Sequence, residues 1–431
     1  MRVLAGCSGQ PTGGPGATVD PGPVHSEEPY VKRRTLASVL SVGALALAGL
    51  ATATPAASAS GAGASAGRHP VRVCHATVAR DEATCHALVM VNAKGAYPQA
   101  TTPPASAIDP TELQDAYKLT GLKSGGRTVA IVDAYGYPNL ERDLTTYRKQ
   151  FGLPSCTTAN GCLRIIDQNG GTSYPRTDVG WDQEQALDVD AVSAACPDCK
   201  IVVVQAKTNS FANLGTAVVT ASKQPGVVAI SNSYGGGDAA DSSYGKYYDH
   251  PGIAVTASTG DNGYQGGSYP ASSSYVTAVG GTSLFAASGT SRGWTESVWD
   301  GAGSGCSSYN TALAAAAGFD TGCSMRAMAD VSAAADPSNG GLAVYYPTNT
   351  RSSTWGQFGG TSESAPIIAS VYALSGNTSG YANATPYNNA SKLFDVTSGS
   401  NGTCPTTQWC NARAGWDGPT GLGTPNGAGA F

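Results

Sequence analysis

The sequence predicts an α/β fold, a parallel sheet flanked by helices, with loops pinned by disulfides. Three observations predict it. Apolar, β-branched runs recur without the alternation of a half-exposed strand, as strands buried on both faces require. Helix-forming stretches lie between them, in the manner of crossover connections. Of the 11 cysteines, all but Cys7 fall in close-spaced couples. With 431 residues the chain can bury one large core or two domains.

Along the chain, Lys32, Arg33 and Arg34 precede the apolar stretch TLASVLSVGALALAGLATA, and Ala57-Ser58-Ala59 follows in the small-x-small cleavage pattern. The apolar run is broken by Gly, Ser and Thr and barely reaches the ~20 residues of a spanning helix. Residues 1–59 therefore read as leader and signal peptide, and the chain as secreted to the extracellular space. The Pro- and Gly-rich first thirty residues fit no targeting n-region, which puts the start of translation near Val31. Residues 60–107 are polar, interrupted by Pro, and read as a short extension or pro-segment. From residue 108 to 431 the pattern is regular. Strands are expected at 127–135, 162–168, 200–207, 226–234, 252–261 and 274–284, with helices at 181–195 and 212–223. Such alternation puts a site at the carboxyl ends of the strands.

Charged residues make up 13% of the chain, the formal charge is −5, and no basic run occurs. Nucleic acid and stable membrane association are therefore excluded as expectations. Proteins, peptides or small molecules remain as partners, and a monomer is expected. The couples Cys74/Cys85, Cys156/Cys162, Cys196/Cys199, Cys306/Cys323 and Cys404/Cys410, read as disulfides, fit an oxidising compartment. Cys196-Pro-Asp-Cys199 has a redox or half-zinc reading as well. No second CxxC or His cluster supports that reading, so a structural bridge is preferred.

The chemistry concentrates in GQFGGTSESAPIIASVYAL, residues 356–374. Ser362 stands at the first turn of a helix, where its own unpaired amide could stabilise an oxyanion. A serine there is more often a simple cap. The second GGTS, at 280–283, is an internal control, because Ser283 ends a strand and has no Ser-x-Pro tail. Histidine is scarce: His25 lies in the leader, and His69, His75 and His86 lie in the extension. His250, beside Pro251, reads as a loop or helix-end residue. The helix WDQEQALDVDAVSAA carries Glu184 and Asp188 at i and i+4, on one face. An isolated pair of this kind is ordinarily a solvated acidic edge. Here no cation lies a turn away, so the acids repel one another.

Taken in order, EQALD, STGDNGY, YPASSSYVTAVGGTS, ESVWDGAGSGCS, DVSAAADP, GGTSESAP and AGWDGPTGLGTPN resemble the sedolisins, serine-carboxyl peptidases with a subtilisin-like fold. The resemblance covers residues 108–431. It implies Ser362 as nucleophile, Glu184 as general base, Asp188 as the residue orienting Glu184, and Asp261 as the oxyanion aspartate. It also implies a calcium ion held by the side chains of Asp395 and Asp417 and the carbonyls of Val396, Arg413 and Gly415. Two carboxylates with loop carbonyls do suit a hard cation, although without the family both would read as turn formers. Three departures stand out. Arg413 replaces a common Gly, Tyr234 replaces a common Trp, and residues 60–107 are too short for the family's large pro-domain. The expected function is a secreted serine-type peptidase, an endopeptidase or tripeptidyl peptidase, working at acidic pH through a Ser-Glu-Asp triad and an acyl-enzyme. Two alternatives are a catalytically silent extracellular binding protein on the same fold and a His-dependent subtilisin relative using His250. The chain lacks the HGTH motif of the latter.

Overall fold

A computed structural model describes residues 67–75, 79–377 and 379–431. The leader, the cleavage pattern at Ala57–Ala59 and the start near Val31 lie outside the described residues. The described chain opens with three short strands, β1 (His69–Arg72), β2 (Thr84–Cys85) and β3 (Leu88–Val91), followed by α1 (Pro110–Ala116). In α1 the stretch DPTE forms a capping box: Asp109 accepts from the Thr111 and Glu112 amides, and the Glu112 side chain accepts from the Asp109 amide.

The alternating region runs β4 (Thr128–Ala134), α2 (Leu140–Gln150), β5 (Leu163–Asp167), α3 (Val179–Ala195), β6 (Lys200–Ala206), α4 (Phe211–Ser222), β7 (Val227–Asn232) and β8 (Tyr234–Gly237). It continues through α5 (Asp241–Tyr244), β9 (Ala254–Ser258), β10 (Ser268–Tyr269), β11 (Thr277–Ala287), β12 (Gly293–Val298), β13 (Gly305–Thr311), β14 (Met325–Met328), β15 (Val331–Ala334), β16 (Ala343–Pro347), β17 (Ser353–Gly359) and α6 (Thr361–Ser375). All six expected strands and both expected helices form. The main sheet has the order β12-β11-β9-β7-β4-β6-β5, with β15 also paired to β11. Every pairing in it is parallel except β11 with β12.

The period of two along β4 separates the two layers. Val129 and Ile131 face a core shared with α3 and α6, while Ala130, Val132 and Ala134 face a second core built on α4. Because α3 and α6 also pack against each other, α6 is buried continuously from Thr361 to Leu374. Burial of α3 runs from Trp181 to Ala195 and includes four carboxylates, Asp182, Glu184, Asp188 and Asp190. The acidic face of this helix is therefore no solvated edge.

The five expected cysteine couples are all bonded. The described part of the extension is woven into the rest of the chain. β1 pairs with β3, and β3 pairs with β17, in a four-stranded antiparallel sheet that also holds β16. β2 adds to the edge of β8, with Thr84 opposite Gly235 and Cys85 opposite Tyr234. The Cys74–Cys85 bridge ties β2 to the residues after β1.

A buried ion pair joins β14 to the residue that precedes β15. The Arg326 guanidinium donates to both Asp330 oxygens, at 2.8 and 2.6 Å, and to the carbonyls of Ser273 and Val276. Asp330 further accepts from the Ala278 amide and the Tyr387 hydroxyl. Each buried charge thus has its partners in place.

Candidate active site

Gly360 ends the approach to α6 at φ +98°, a conformation that favours glycine. A Cβ at this position would lie 1.9 Å from the His86 carbonyl oxygen and 2.8 Å from Asp261 Oδ2. The chain can therefore bring three segments together only with glycine here. In the helix that follows, Pro366 has no amide to donate to the Ser362 carbonyl one turn back. The Ser233 hydroxyl comes within 3.4 Å of that carbonyl, though its shorter contact, 2.8 Å, is with Asp188 Oδ1.

Ser362 is fully buried, as are Glu184 and Asp188. Its hydroxyl donates to the Ser233 carbonyl at 3.2 Å. Its amide points at the His86 carbonyl at 3.5 Å. Both Glu184 oxygens lack a hydrogen-bond partner, as does Asp188 Oδ2. Burial holds the Glu184 carboxyl well above the usual range. Asp188 and Asp133 push in the same direction, while the nearby Ser362 hydroxyl opposes the rise. Asp188 is raised by burial and by Asp133, against the Ser233 hydroxyl. Three buried carboxyls with no cation among them cannot all ionise, so protons remain in the cluster.

Asp261 follows β9 and reaches α6 from the other side. Its Oδ1 accepts from the Thr361 amide at 2.8 Å and hydroxyl at 2.9 Å, while Oδ2 has no partner. Burial pushes this carboxyl up to about 7, against the Thr361 amide and the Arg72 charge. A carboxyl still protonated in weak acid has an O–H to donate.

The structure thus brings Ser362, Glu184, Asp188 and Asp261 into one locus at the carboxyl ends of β4, β7 and β9. Ser283 has a different fate, donating to Asp336 Oδ2 at 2.7 Å. The His250 ring is hydrogen-bonded to the Tyr247 carbonyl at 3.0 Å. The Tyr234 side chain is buried, and its hydroxyl donates to Asn232 Oδ1 at 2.8 Å.

Four residues at the locus were not singled out by sequence reasoning. Asp133, next to last in β4, is buried with both oxygens unpartnered. A carboxylate near the end of an otherwise apolar run was a usable signal. Ser233, Arg72 and His86 gave none. Arg72 donates to the Asp261 carbonyl at 3.0 Å and to Asn262 Oδ1. The His86 ring bonds the Ser258 hydroxyl at 2.8 Å, and burial, followed by the Arg72 charge, lowers its pKa to about 3.

Farther along, two short strands, Leu393–Phe394 and Thr424–Pro425, pair and set Asp395 beside the loop 413–417. Asp395 Oδ2 accepts from the Gly415 amide at 2.9 Å. Asp417 is buried and accepts from the Thr420 amide and hydroxyl, at 2.9 and 2.8 Å, and from the Arg413 amide at 3.3 Å. Among the described residues no group of three or more His, Cys, Asp or Glu could hold a metal. Any ion here would depend on these two carboxylates and on backbone carbonyls, a donor set of oxygens alone that fits a hard cation.

The chain is similar to kumamolisin from Bacillus sp. (strain MN-32), 30% identical over 364 residues, covering 75% of this chain and 62% of that protein. Sedolisin from Pseudomonas sp. (strain 101) is 26% identical over 381 residues, covering 79% of this chain and 63% of its own length. The chain thus spans about three fifths of the length of these curated relatives. Among solved structures, that of Pseudomonas sedolisin, a serine-carboxyl proteinase complexed with two molecules of pseudo-iodotyrostatin, superposes with a TM-score of 0.63 at 25% identity. It covers 75% of this chain and 96% of that one. No protein-family model matches the chain.

Proposed function

The chain belongs to the sedolisin family and has its subtilisin-like α/β fold, and from that membership we propose that it is a serine-carboxyl peptidase that hydrolyses peptide bonds of proteins or peptides at acidic pH. One observation carries the reading: a serine hydroxyl at a helix N-terminus lies beside buried carboxyls that no cation neutralises. In a purely structural core this arrangement would be costly.

Ser362 Oγ attacks the peptide carbonyl, and Glu184 takes its proton and passes it to the leaving amine. Asp188, held by the Ser233 hydroxyl, orients Glu184. The developing oxyanion is met by the Ser362 amide and by the O–H of protonated Asp261. Water then hydrolyses the acyl-enzyme. A carboxylate can replace imidazole as base because the best catalytic pKa lies near the working pH.

The pH dependence tests the scheme. Asp261 is protonated, and useful, below about 7. Activity on a denatured protein should peak at roughly pH 3 to 5 and fall toward neutrality as Asp261 ionises. Asp261→Asn keeps a donor that does not titrate, and should be slower, with its alkaline limb moved upward. A wild-type maximum at or above neutrality would refute the mechanism, and no turnover at any pH would favour the silent binding protein. Sequencing of the fragments would separate endopeptidase from tripeptidyl cleavage.

The five disulfides support secretion into an oxidising space. Among the described residues no helix is long and apolar enough to cross a membrane. The convergence of Asp395 and Asp417 supports a structural calcium ion bound by these side chains and the carbonyls of Val396, Arg413 and Gly415. It would stabilise the loops without entering the chemistry. Chelation should lower the melting temperature, and an unchanged value would remove the site.

A further inference from the structure

The binding surface of the site does not end at the nucleophile. β8 pairs with β10 on one side, and a peptide strand can add to its other edge. The geometry of that edge is recorded by the strand seated on it. Thr84 and Cys85 pair antiparallel with Gly235 and Tyr234, and the His86 amide donates to the Ser233 carbonyl, which the Ser362 hydroxyl also contacts. Ala83 exchanges two hydrogen bonds with Asn209, its amide donating to the Asn209 carbonyl and its carbonyl accepting from the Asn209 side chain, both at 2.8 Å. A substrate lying on this edge with the same polarity therefore runs upstream from Ser362 past Asn209. Counted back from the position beside Ser362, that of His86, the position beside Asn209 is the fourth.

Beyond Asn209 stands Tyr135, with φ +64°, a conformation that bulky residues rarely adopt. Its amide donates to the Ala206 carbonyl at 2.8 Å, its hydroxyl donates to Asn209 Oδ1 at 2.9 Å, and its carbonyl accepts from the Gln185 side chain at 3.3 Å. The ring so fixed carries Arg176, whose guanidinium carbon lies 4.4 Å from the ring centroid. The loop bearing Arg176 docks closely on Gly136. The Gly136 amide donates to the Arg176 carbonyl at 2.9 Å, and a Cβ on Gly136 would lie 2.4 Å from the Pro175 carbonyl oxygen. Arg176 thereby lines two cavities, one together with Ala83, Tyr135 and Asn209, and a second of about 410 Å³ together with Lys207 and Thr208.

Both Arg176 and Lys207 are exposed, and among the described residues neither side chain has an ion pair or a hydrogen bond. The acids nearby are otherwise engaged. Asp167, which also lines the second cavity, turns its carboxylate into its own loop, where it accepts from the Asn169, Gly171 and Ser173 amides at 2.7, 3.1 and 2.9 Å. Asp178 and Glu82 line the first cavity with Arg176; Asp178 accepts from the Trp181 amide at 3.3 Å and Glu82 from the Ala79 amide at 3.3 Å. Exposed cations are ordinarily just solvated. Here one is stacked in place beside the path of the substrate, and a second shares its cavity, in a chain of formal charge −5.

We propose that the Arg176–Lys207 cavity is a distal subsite that takes an acidic side chain of the substrate, four to six residues upstream of the bond that is cut. The inference rests on the peptidase reading above. The fourth position lies at Asn209, and Thr208 and Lys207 directly precede Asn209, so a strand advancing ~3.3 Å per residue comes level with the second cavity within one or two further residues. Ion pairs at an exposed site are weak, so the subsite selects among substrates without anchoring them. It also makes the enzyme an endopeptidase, because a substrate with only three residues upstream stops short of Asn209.

The test uses the full chain, wild type and an Arg176→Glu, Lys207→Glu double variant, on peptides that carry Glu, Gln or Lys at one upstream position from the second to the sixth, each with a blocked and a free amino terminus. At about pH 5, where a substrate Glu is ionised, the wild type should cut blocked Glu peptides with kcat/KM about three- to ten-fold above their Gln counterparts at the fourth to sixth positions. The ratio should approach one at about pH 3, where the substrate carboxyl holds its proton, and should shrink in about 1 M salt. The double variant should favour Lys over Gln at the same positions. A Glu-to-Gln ratio near one at pH 5, or a preference for Glu that the double variant keeps, would overturn the subsite and leave the peptidase reading standing. Cleavage confined to free amino termini, three residues in, would likewise overturn it. Failure to cut any peptide or a denatured protein would overturn both.

Discussion

Two clusters of buried charge sit in the same molecule on opposite terms. Around Ser362, Asp133, Glu184 and Asp188 leave five carboxyl oxygens without a hydrogen-bond partner. Around Arg326, Asp330 has both oxygens bonded to a guanidinium and further donors, and neither atom is left over. Both clusters are removed from water, so both bear a desolvation cost. The second offsets it with an opposite charge. The first avoids part of it by holding protons, which makes it responsive to pH and able to exchange a proton with a substrate. Fully paired buried charge asks for nothing further, whereas the unpaired acids around Ser362 are free to take up and release protons, as the proposed chemistry requires.

The largest expected effect contrasts the two clusters directly. Glu184→Gln should lower peptide hydrolysis by about 10⁴-fold or more while leaving the melting temperature unchanged or higher, since the amide has no charge to desolvate. Arg326→Met should do the reverse. It leaves Asp330 as a buried, uncompensated charge and should cost about 3–5 kcal/mol of folding stability, with activity retained in whatever fraction stays folded. Denaturant melts and initial rates on the two variants measure both. The contrast breaks if Glu184→Gln destabilises as much as Arg326→Met.

A smaller effect concerns stability against pH. Burial raises Asp182 to about 8, and the Asp178 and Asp143 charges add to the rise; Asp261 is raised to about 7. In the unfolded chain both titrate near ~3.9. A folded pKa above the unfolded one means that the native state holds protons which the unfolded state has released. The stability these groups contribute is therefore complete below about pH 4 and lost as pH rises through about 7 to 8. The melting temperature of Ser362→Ala, chosen to prevent self-digestion, should fall over that window. A melting temperature that climbs from acid to neutral would break the comparison.

How much of this was legible in the sequence can be traced residue by residue. Runs such as TVAIVDA and KIVVVQA read as buried parallel strands because burial on both faces leaves only apolar residues to choose from. Ser362 was legible because glycines, a serine and a helix start follow each other locally, and Glu184 and Asp188 because one helix turn spaces them. Local pattern also paired each cysteine with its near neighbour. The burial of α3 was harder to read, since its carboxylates imitate a wet surface.

The sequence by itself determined the sheet, the two central helices, the bridges and the candidate serine and acids, all features set by spacings of a few residues along one segment. Only the tertiary structure decided what those residues face. Asp133 joins Glu184 across a gap of 51 positions, Ser233 reaches Asp188, and Arg72 reaches Asp261. The fold-back of residues 83–86 along β8 depends on the edge of β8 that its pairing with β10 leaves free. No periodicity in the extension encodes that edge, because its donors and acceptors are backbone groups, which every sequence carries alike.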